Sequence, residues 1–226
     1  MKHIVILTGA GMSAESGLKT FRDANGLWEG HNVTEVATPE GFHANPELVL
    51  EFYNQRRRQL QQVEPNFAHY GIAQLEKDYT VSVITQNIDD LHERAGSKNV
   101  IHLHGELLKV RSTFDITDIQ EWKKDLLLGD ICKKGYQLRP HIVWFGEAVP
   151  MIEKAIDICM TAEILVIIGT SMQVYPAASL IHYVPHGTPI YFIDPKPTLE
   201  SKQNLTVIAE NATVGIKQFI ELIKIL

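Results

Sequence analysis

The chain has 226 residues, 45% of them hydrophobic, and a formal net charge of −6. That length can bury a full core as one domain with a smaller lobe, and an acidic chain of pI near 5.9 lacks the basic surface of a nucleic-acid binder. No apolar run approaches the roughly 18 residues of a membrane span, there is no leader pattern, and Cys132 and Cys159 make no disulfide framework; a soluble, cytoplasmic protein with no membrane partner is expected. His3–Thr8 is an apolar, β-branched run that reads as a buried parallel strand. Gly9, Gly11 and Ala14 follow at G-x-G-x-x-A spacing. Glycines there permit a tight turn and close approach of backbone to a pyrophosphate, and a helix starting near Ser13 would aim its N–H groups at the phosphates. A strand-to-helix turn without any ligand has the same pattern. An ordinary dinucleotide fold would next show a second strand ending in an acid about 20 residues on. Thr20–Trp28 is instead polar and broken by Gly26, with Phe21, Arg22 and Trp28 fitted to a loop lying over a cofactor.

Ala37-Thr38-Pro39 can open a short helix. Asn45-Pro46-Glu47 joins a capping side chain, a proline and an acid, and predicts a helix to about Gln62 with Leu48, Val49, Phe52 and Leu60 on its apolar face. Arg57 and Arg58, near its end, are expected on a solvated face favoured by the helix dipole. Tyr53 and Arg56 lie side by side on that helix, and a phenol and a guanidinium together can hold a carboxylate. Asn66–Lys77 reads as a helix and Thr80–Thr85 as a strand. Gln86, Asn87, Ile88 and Asp89 then stand at a strand's carboxyl end, where parallel sheets place ligands. The plainer reading is that Asn87 and Asp89 cap a helix over Asp90–Ala95.

His102 and His104 share one side of the next strand, an arrangement a metal pair also has, while Gly105 leaves His104 at a rim. Leu138–Glu147 reads as a strand ending in aromatic residues and glycine. Cys159 falls inside a helix over Ile152–Met160 as a core residue. Glu163–Ile168 is the most plainly buried strand, and the small residues Gly169-Thr170-Ser171 leave room at its end. Met172–Pro176 leads into a helix, Pro189–Asp194 is a strand, and Thr213–Leu226 is a closing amphipathic helix.

Six segments in this order resemble the sirtuins, the NAD-dependent protein deacylases: G-A-G-M-S from Gly9, T-F-R-D from Thr20, T-Q-N-I-D from Thr85, H-G at His104, V-W-F-G-E from Val143 and G-T-S from Gly169. The resemblance covers essentially the whole chain. It implies an α/β fold, a Rossmann-like doubly wound parallel sheet, with a smaller lobe formed by insertions at about 20–65 and 108–138. It implies NAD as a consumed co-substrate, held by Gly9, Ala10, Gly11, Ser13, Glu15, Thr20, Phe21, Arg22, Trp28, Gln86, Asn87, Ile88, Asp89, Gly169, Thr170, Ser171, Asp194 and Ala212. Asp194 stands where the family usually has asparagine. Asn87 and Asp89 take the nicotinamide end, His104 the role of base, and His102 a structural one. Val143, Trp144, Phe145, Gly146 and Glu147 would pair as a strand with the substrate peptide, and Val174 resembles the family's substrate-contacting valine. Tyr53 and Arg56, with the small Ala37, resemble the subclass that removes succinyl and malonyl groups. Acyl-lysine proteins are thus the expected partners, acetyl the weaker substrate, and nicotinamide and O-acyl-ADP-ribose the products.

Most sirtuins hold a structural zinc with two C-x-x-C pairs. Here Arg111-Ser112-Thr113 stands where the first pair should begin, and Cys132 alone where the second should lie. No zinc is expected, and the small lobe is expected to hold by apolar contacts from Phe114, Ile116, Ile119, Trp122 and Leu126–Leu128. The chain is expected to be a monomer. Two other readings use the same segments: a mono-ADP-ribosyltransferase, and a catalytically idle NAD-binding module.

Overall fold

A computed structural model describes residues 1–19, 27, 28 and 30–224. In chain order the strands are β1 (His3–Thr8), β2 (Leu27–Trp28), β3 (His31–Asn32), β4 (Thr80–Thr85), β5 (Val100–His102) and β6 (Gly105–Ser112), then β7 (Ile119–Glu121), β8 (Leu138–Ile142), β9 (Ile164–Ile168), β10 (Ile190–Ile193) and β11 (Leu205–Ile208). The helices are α1 (Val33–Val36), α2 (Pro39–Ala44), α3 (Pro46–Leu60), α4 (Phe67–Leu75), α5 (Leu91–Arg94), α6 (Ile152–Cys159) and α7 (Ala212–Ile223). Among the described residues no helix is long and apolar enough to cross a membrane.

The main sheet has six strands in the order β11-β10-β9-β1-β4-β5, and their pairings are parallel. Side chains of a strand alternate between faces, and both faces here are covered, so the strands are mostly apolar, with the buried Ser82 of β4 bonded to His3 Nε2 at 2.9 Å. Ile4, Ile6, Val83, Val166 and Ile168 meet α4 and α7 through Ile72, Ile216 and Phe219. Val5, Leu7, Ile84, Leu165 and Ile167 meet α6 through Ala155 and the buried Cys159, and a 3₁₀ turn through Leu180. The chain runs outward from β1 to β4 and β5, then returns to β9 on β1's other side. Such a reversal opens a crevice at the carboxyl ends of β1, β4 and β9.

A small antiparallel sheet, β7-β6-β8, and helices α1–α3 form a lobe beside that crevice. Its apolar interior is not the expected one. Phe114, Ile116, Ile119, Leu127 and Leu128 are exposed, and the buried cluster is Leu50, Val110, Leu126, Cys132 and Leu138, with Trp122 and Phe42 against it. Polar clamps do much of the holding. Asn54 on α3 donates from Nδ2 to the Leu126 carbonyl at 3.0 Å and accepts the Leu126 N–H at 2.8 Å.

Arg57 also departs from expectation. It is fully buried, donating from Nε to the Leu107 carbonyl at 3.2 Å and from Nη1 to Asn54 Oδ1 at 2.7 Å. Burial lowers its pKa to about 10, against a raising pull from Asp125. Arg58 does face solvent, paired with Glu51 and Asp125. The strand read through Glu147 ends at Ile142, and the segment after Pro176 is a 3₁₀ turn over Ala177–His182. Two short 3₁₀ turns, Ala10–Met12 and Ala14–Ser16, replace the helix expected from Ser13.

Candidate active site

With no helix after the first strand, the glycines serve a different contact. A Cβ built on Gly9 would lie 2.8 Å from the Gly169 oxygen, and one on Gly11 2.7 Å from the Gly169 Cα. The two loops are joined by backbone bonds from the Gly9 N–H to the Ile168 carbonyl at 3.0 Å and from the Gly11 N–H to the Gly169 carbonyl at 2.9 Å. Gly169 itself has φ +62°, a conformation that favours glycine. Gln86, ending β4, donates to Thr170 Oγ1 at 3.1 Å. One cavity of about 950 Å³ opens over these loops.

Every candidate side chain among the described residues lines that cavity: Gly9, Ala10, Gly11, Ser13, Glu15, Gln86–Asp89, His104, Gly169–Ser171, Asp194 and Ala212, and with them Ala37, Tyr53, Arg56, Val143–Glu147 and Val174. Thr20, Phe21 and Arg22 lie outside the described residues, as does the side chain of Trp28. Glu15 has a second engagement, since its carboxylate accepts the Thr213 N–H at 2.9 Å and the Thr213 hydroxyl at 2.7 Å in the first turn of α7.

Within the cavity lining lies a buried polar network. Ser13 Oγ donates to Asp89 Oδ2 at 2.9 Å and accepts from Asn87 Nδ2 at 3.1 Å. The other carboxylate oxygen of Asp89 accepts the N–H of Leu91, the first residue of α5, at 3.2 Å. Asp89 therefore meets the first turn of α5 with one oxygen and Ser13 with the other. Burial raises its pKa to about 6, against the lowering bonds from Ser13 and the Leu91 N–H. Sequence reasoning missed Asn66 and His69. The Asn66 N–H donates to His69 Nδ1, which leaves the His69 proton on Nε2, 3.5 Å from Ser13 Oγ. The visible signal was N-x-x-H opening α4, which has the form of an ordinary cap. His92, on Thr8 Oγ1 at 3.1 Å, packs edge-on against His69 with ring centroids 4.9 Å apart.

The two histidines do different work. His104 Nδ1 lies 3.0 Å from the Gln86 carbonyl, which can only accept, so Nε2 keeps a lone pair. Burial lowers the His104 pKa, and the Gln86 bond opposes that. His102 meets the Asn87 carbonyl at 3.0 Å and the Glu93 carboxylate at 2.7 Å, so both its nitrogens donate. Burial works against that charge, but Glu93 outweighs it and the His102 pKa is raised. Both His102 nitrogens are thus engaged by protein acceptors, and a metal shared with His104 would have to displace the Asn87 carbonyl or Glu93.

A neutral imidazole with one free lone pair, set at the carboxyl edge of a doubly wound sheet between two glycine loops, is accompanied by a decisive sequence match. The Sir2 family profile matches residues 9–176. The chain belongs to the Sir2 family. A Helicobacter pylori relative described as an NAD-dependent protein deacylase is 60% identical over 213 residues, covering 94% of this chain and 93% of its own. A Bacteroides thetaiotaomicron protein of the same description is 52% identical over 230 residues, covering 99% and 98%. The solved structure of a Sir2 homolog–NAD complex superposes with a TM-score of 0.88 at 38% identity, covering 99% of this chain and 90% of that one.

Two further regions bear on the expectations of metal and substrate. Where the zinc cysteines were sought, the Cys132 thiol lies 3.4 Å from Ser112 Oγ, Lys134 pairs with Asp115 at 2.9 Å, and Phe114 stacks on Tyr136 at 4.3 Å between centroids. At the cavity's outer wall, the W-F-G-E segment forms a turn closed by the Glu147 N–H on the Trp144 carbonyl at 3.0 Å, with Gly146 at φ +88°. The Phe145 N–H donates to the Ala37 carbonyl at 2.9 Å, tying this turn to α1. Glu147 accepts from Arg139 at 2.7 Å and from Arg111 at 3.2 Å, so its carboxylate orders the turn. Arg56 Nη1 donates to the Phe52 carbonyl at 2.6 Å while its guanidinium stacks over the Phe52 ring at 3.5 Å.

Proposed function

We propose that this chain is an NAD-dependent protein-lysine deacylase that removes succinyl and malonyl groups and, more weakly, acetyl groups. Family membership and the relatives' descriptions support the deacylase activity. The observation that carries the acyl preference is that Tyr53 and Arg56 line the same cavity as His104. The cavity fits NAD in size and in chemistry: it has backbone too close for any Cβ at Gly9 and Gly11, amides at Gln86 and Asn87, and a buried carboxylate at Asp194 suited to ribose hydroxyls. When bound, NAD supplies the glycosidic bond whose cleavage releases nicotinamide, and the sugar that leaves as O-acyl-ADP-ribose.

This chain's own residues then have distinct tasks. The glycine loops, Ser13 and Gln86 hold the cofactor, and Asn87 and Asp89 orient its nicotinamide end. His104 Nε2 takes a proton from a ribose hydroxyl, which its neutral state near pH 7 permits. Val143–Glu147 and Val174 meet the substrate backbone. Burial pushes the Tyr53 pKa up, so the phenol keeps its hydrogen for a carboxylate acceptor. Charged hydrogen bonds are worth roughly 1.5–3 kcal/mol, so succinyl should be favoured over acetyl by about 10- to 150-fold in kcat/KM. The test is Arg56→Met with Tyr53→Phe, assayed with NAD on acetyl, malonyl and succinyl peptides of one sequence. Selective collapse of the two acidic substrates is expected, and equal loss on all three would sink the preference. Nicotinamide release that ignores the acyl group would favour ADP-ribosyl transfer, and no turnover with any peptide an idle module.

A further inference from the structure

Trp144 belongs to the segment whose backbone meets the substrate, but its side chain turns inward and is 2% exposed. The indole Nε1–H donates to the Tyr53 oxygen at 2.9 Å. An indole has one N–H and no acceptor, so the direction of that bond is set by chemistry. The phenol oxygen accepts, and its own hydrogen is therefore turned away from the indole. The indole is held from several sides. The Arg139 guanidinium lies over its ring at 3.3 Å and the Phe42 ring packs at 5.3 Å, while the backbone N–H of Trp144 donates to Glu147 Oε2 at 2.8 Å. Glu147 in turn takes Arg139 with both oxygens, at 2.7 and 3.0 Å. Turn, arginine and indole form one rigid unit, and Tyr53 is the cavity residue it reaches.

We propose that Trp144 is a positioning residue for acyl choice: by donating to Tyr53 it directs the phenol hydrogen into the cavity that Arg56 also lines, where a carboxylate-tipped acyl group is gripped. This rests on the acyl preference proposed above. A hydroxyl that accepts one bond donates the next more strongly, so the indole also strengthens the grip it aims. An acetyl group ends in a methyl and takes nothing from that hydrogen.

The experiment compares wild type, Trp144→Phe, Tyr53→Phe and the double variant on acetyl- and succinyl-lysine peptides of one sequence. Trp144→Phe should raise KM for the succinyl peptide about 5-fold more than for the acetyl one, the worth of an ordinary hydrogen bond. The double variant should show no smaller succinyl-to-acetyl ratio than Tyr53→Phe alone. An unchanged ratio in Trp144→Phe, or further loss in the double variant, overturns the role of Trp144 while leaving the preference standing. A wild type with no succinyl preference overturns both. The indole N–H spectrum of the wild type, which has three tryptophans, needs no Trp144 variant to fold. The resonance that moves upfield in Tyr53→Phe should move downfield when the succinyl peptide is added without NAD, and stay in place with the acetyl peptide. Equal movement with both peptides overturns the proposal.

Discussion

His102 and His104, two positions apart, are shifted in opposite directions from an ordinary histidine, His102 up beside Glu93 and His104 down by burial. His102 is flanked by a carbonyl and a carboxylate and gives up both lone pairs, whereas His104 meets one carbonyl and keeps one. Replacing His104 with alanine should cost at least ~10²-fold in deacylation, the usual worth of a positioned base, while NAD binding is kept. Near-wild-type turnover at saturating NAD would remove it from that role. Its pH dependence has a definite sign. Burial holds the His104 pKa below the ordinary histidine value, and burial brings Asp89 to about 6. Both groups are in their working forms above those values, so kcat/KM should stay level as pH falls through about 6.5 and drop only below it. A limb centred above pH 7 in the rate profile would assign the base to another group.

At the scale of elements, two loop residues decide how the site is framed. Gly105 has φ +83°, and a Cβ on it would lie 2.1 Å from the His141 carbonyl oxygen. It starts β6 directly after His104, so any side chain there forces the start of β6, and His104 with it, away from β8. Gly105→Ala should cost roughly 1–3 kcal/mol of stability and most of the activity. A variant with wild-type melting temperature and turnover would show that the close approach relaxes freely. Glu15 acts between elements, its carboxylate capping the first turn of α7 through Thr213. Glu15→Ala should lower stability by about 0.5–1 kcal/mol, read as a small fall in the urea midpoint. No fall would show that the Thr213 contact adds no net stability.

For the whole molecule, the buried histidines set the acid limit of stability. His69 is fully buried, and burial lowers its pKa to about 4, against a weaker raising pull from Glu93. Below about pH 6.5 the unfolded chain takes a proton at this residue and the folded chain does not, so stability falls with pH by up to about 1.4 kcal/mol per unit until about pH 4. Raised pKa values at His102 and Asp89 act with the opposite sign. The useful comparison is therefore between slopes: urea unfolding from pH 7 to pH 5 should lose less stability in His69→Gln than in wild type. Parallel slopes would mean His69 does not titrate differently on unfolding. The small lobe bears on metal. With Ser112 and Cys132 facing each other and Asp115 paired to Lys134, we expect far less than one zinc per chain and a melting temperature indifferent to chelators. Stoichiometric zinc in elemental analysis would place the ligands elsewhere.

The sequence by itself determined the sheet and the rim of the site. Buried parallel strands favour near-continuous apolar, β-branched runs, so β1, β4, β9 and β10 are visible as such runs, and each glycine or polar break after them marks a carboxyl end where the crevice opens. The exception is β11, a short edge strand whose Thr206 is exposed and whose pattern is too brief to separate from a loop. What only the tertiary structure decided is how polar side chains are satisfied. Helical spacing places Tyr53 and Arg56 together and puts Arg57 on another face, but not that this face meets the Leu107 carbonyl rather than water. Spacing could not join Asn66 and His69 to Ser13, or turn the Trp144 indole onto Tyr53, across dozens of residues of chain. A buried donor or acceptor needs a partner, and that partner comes from whichever element packs opposite, which no local pattern records.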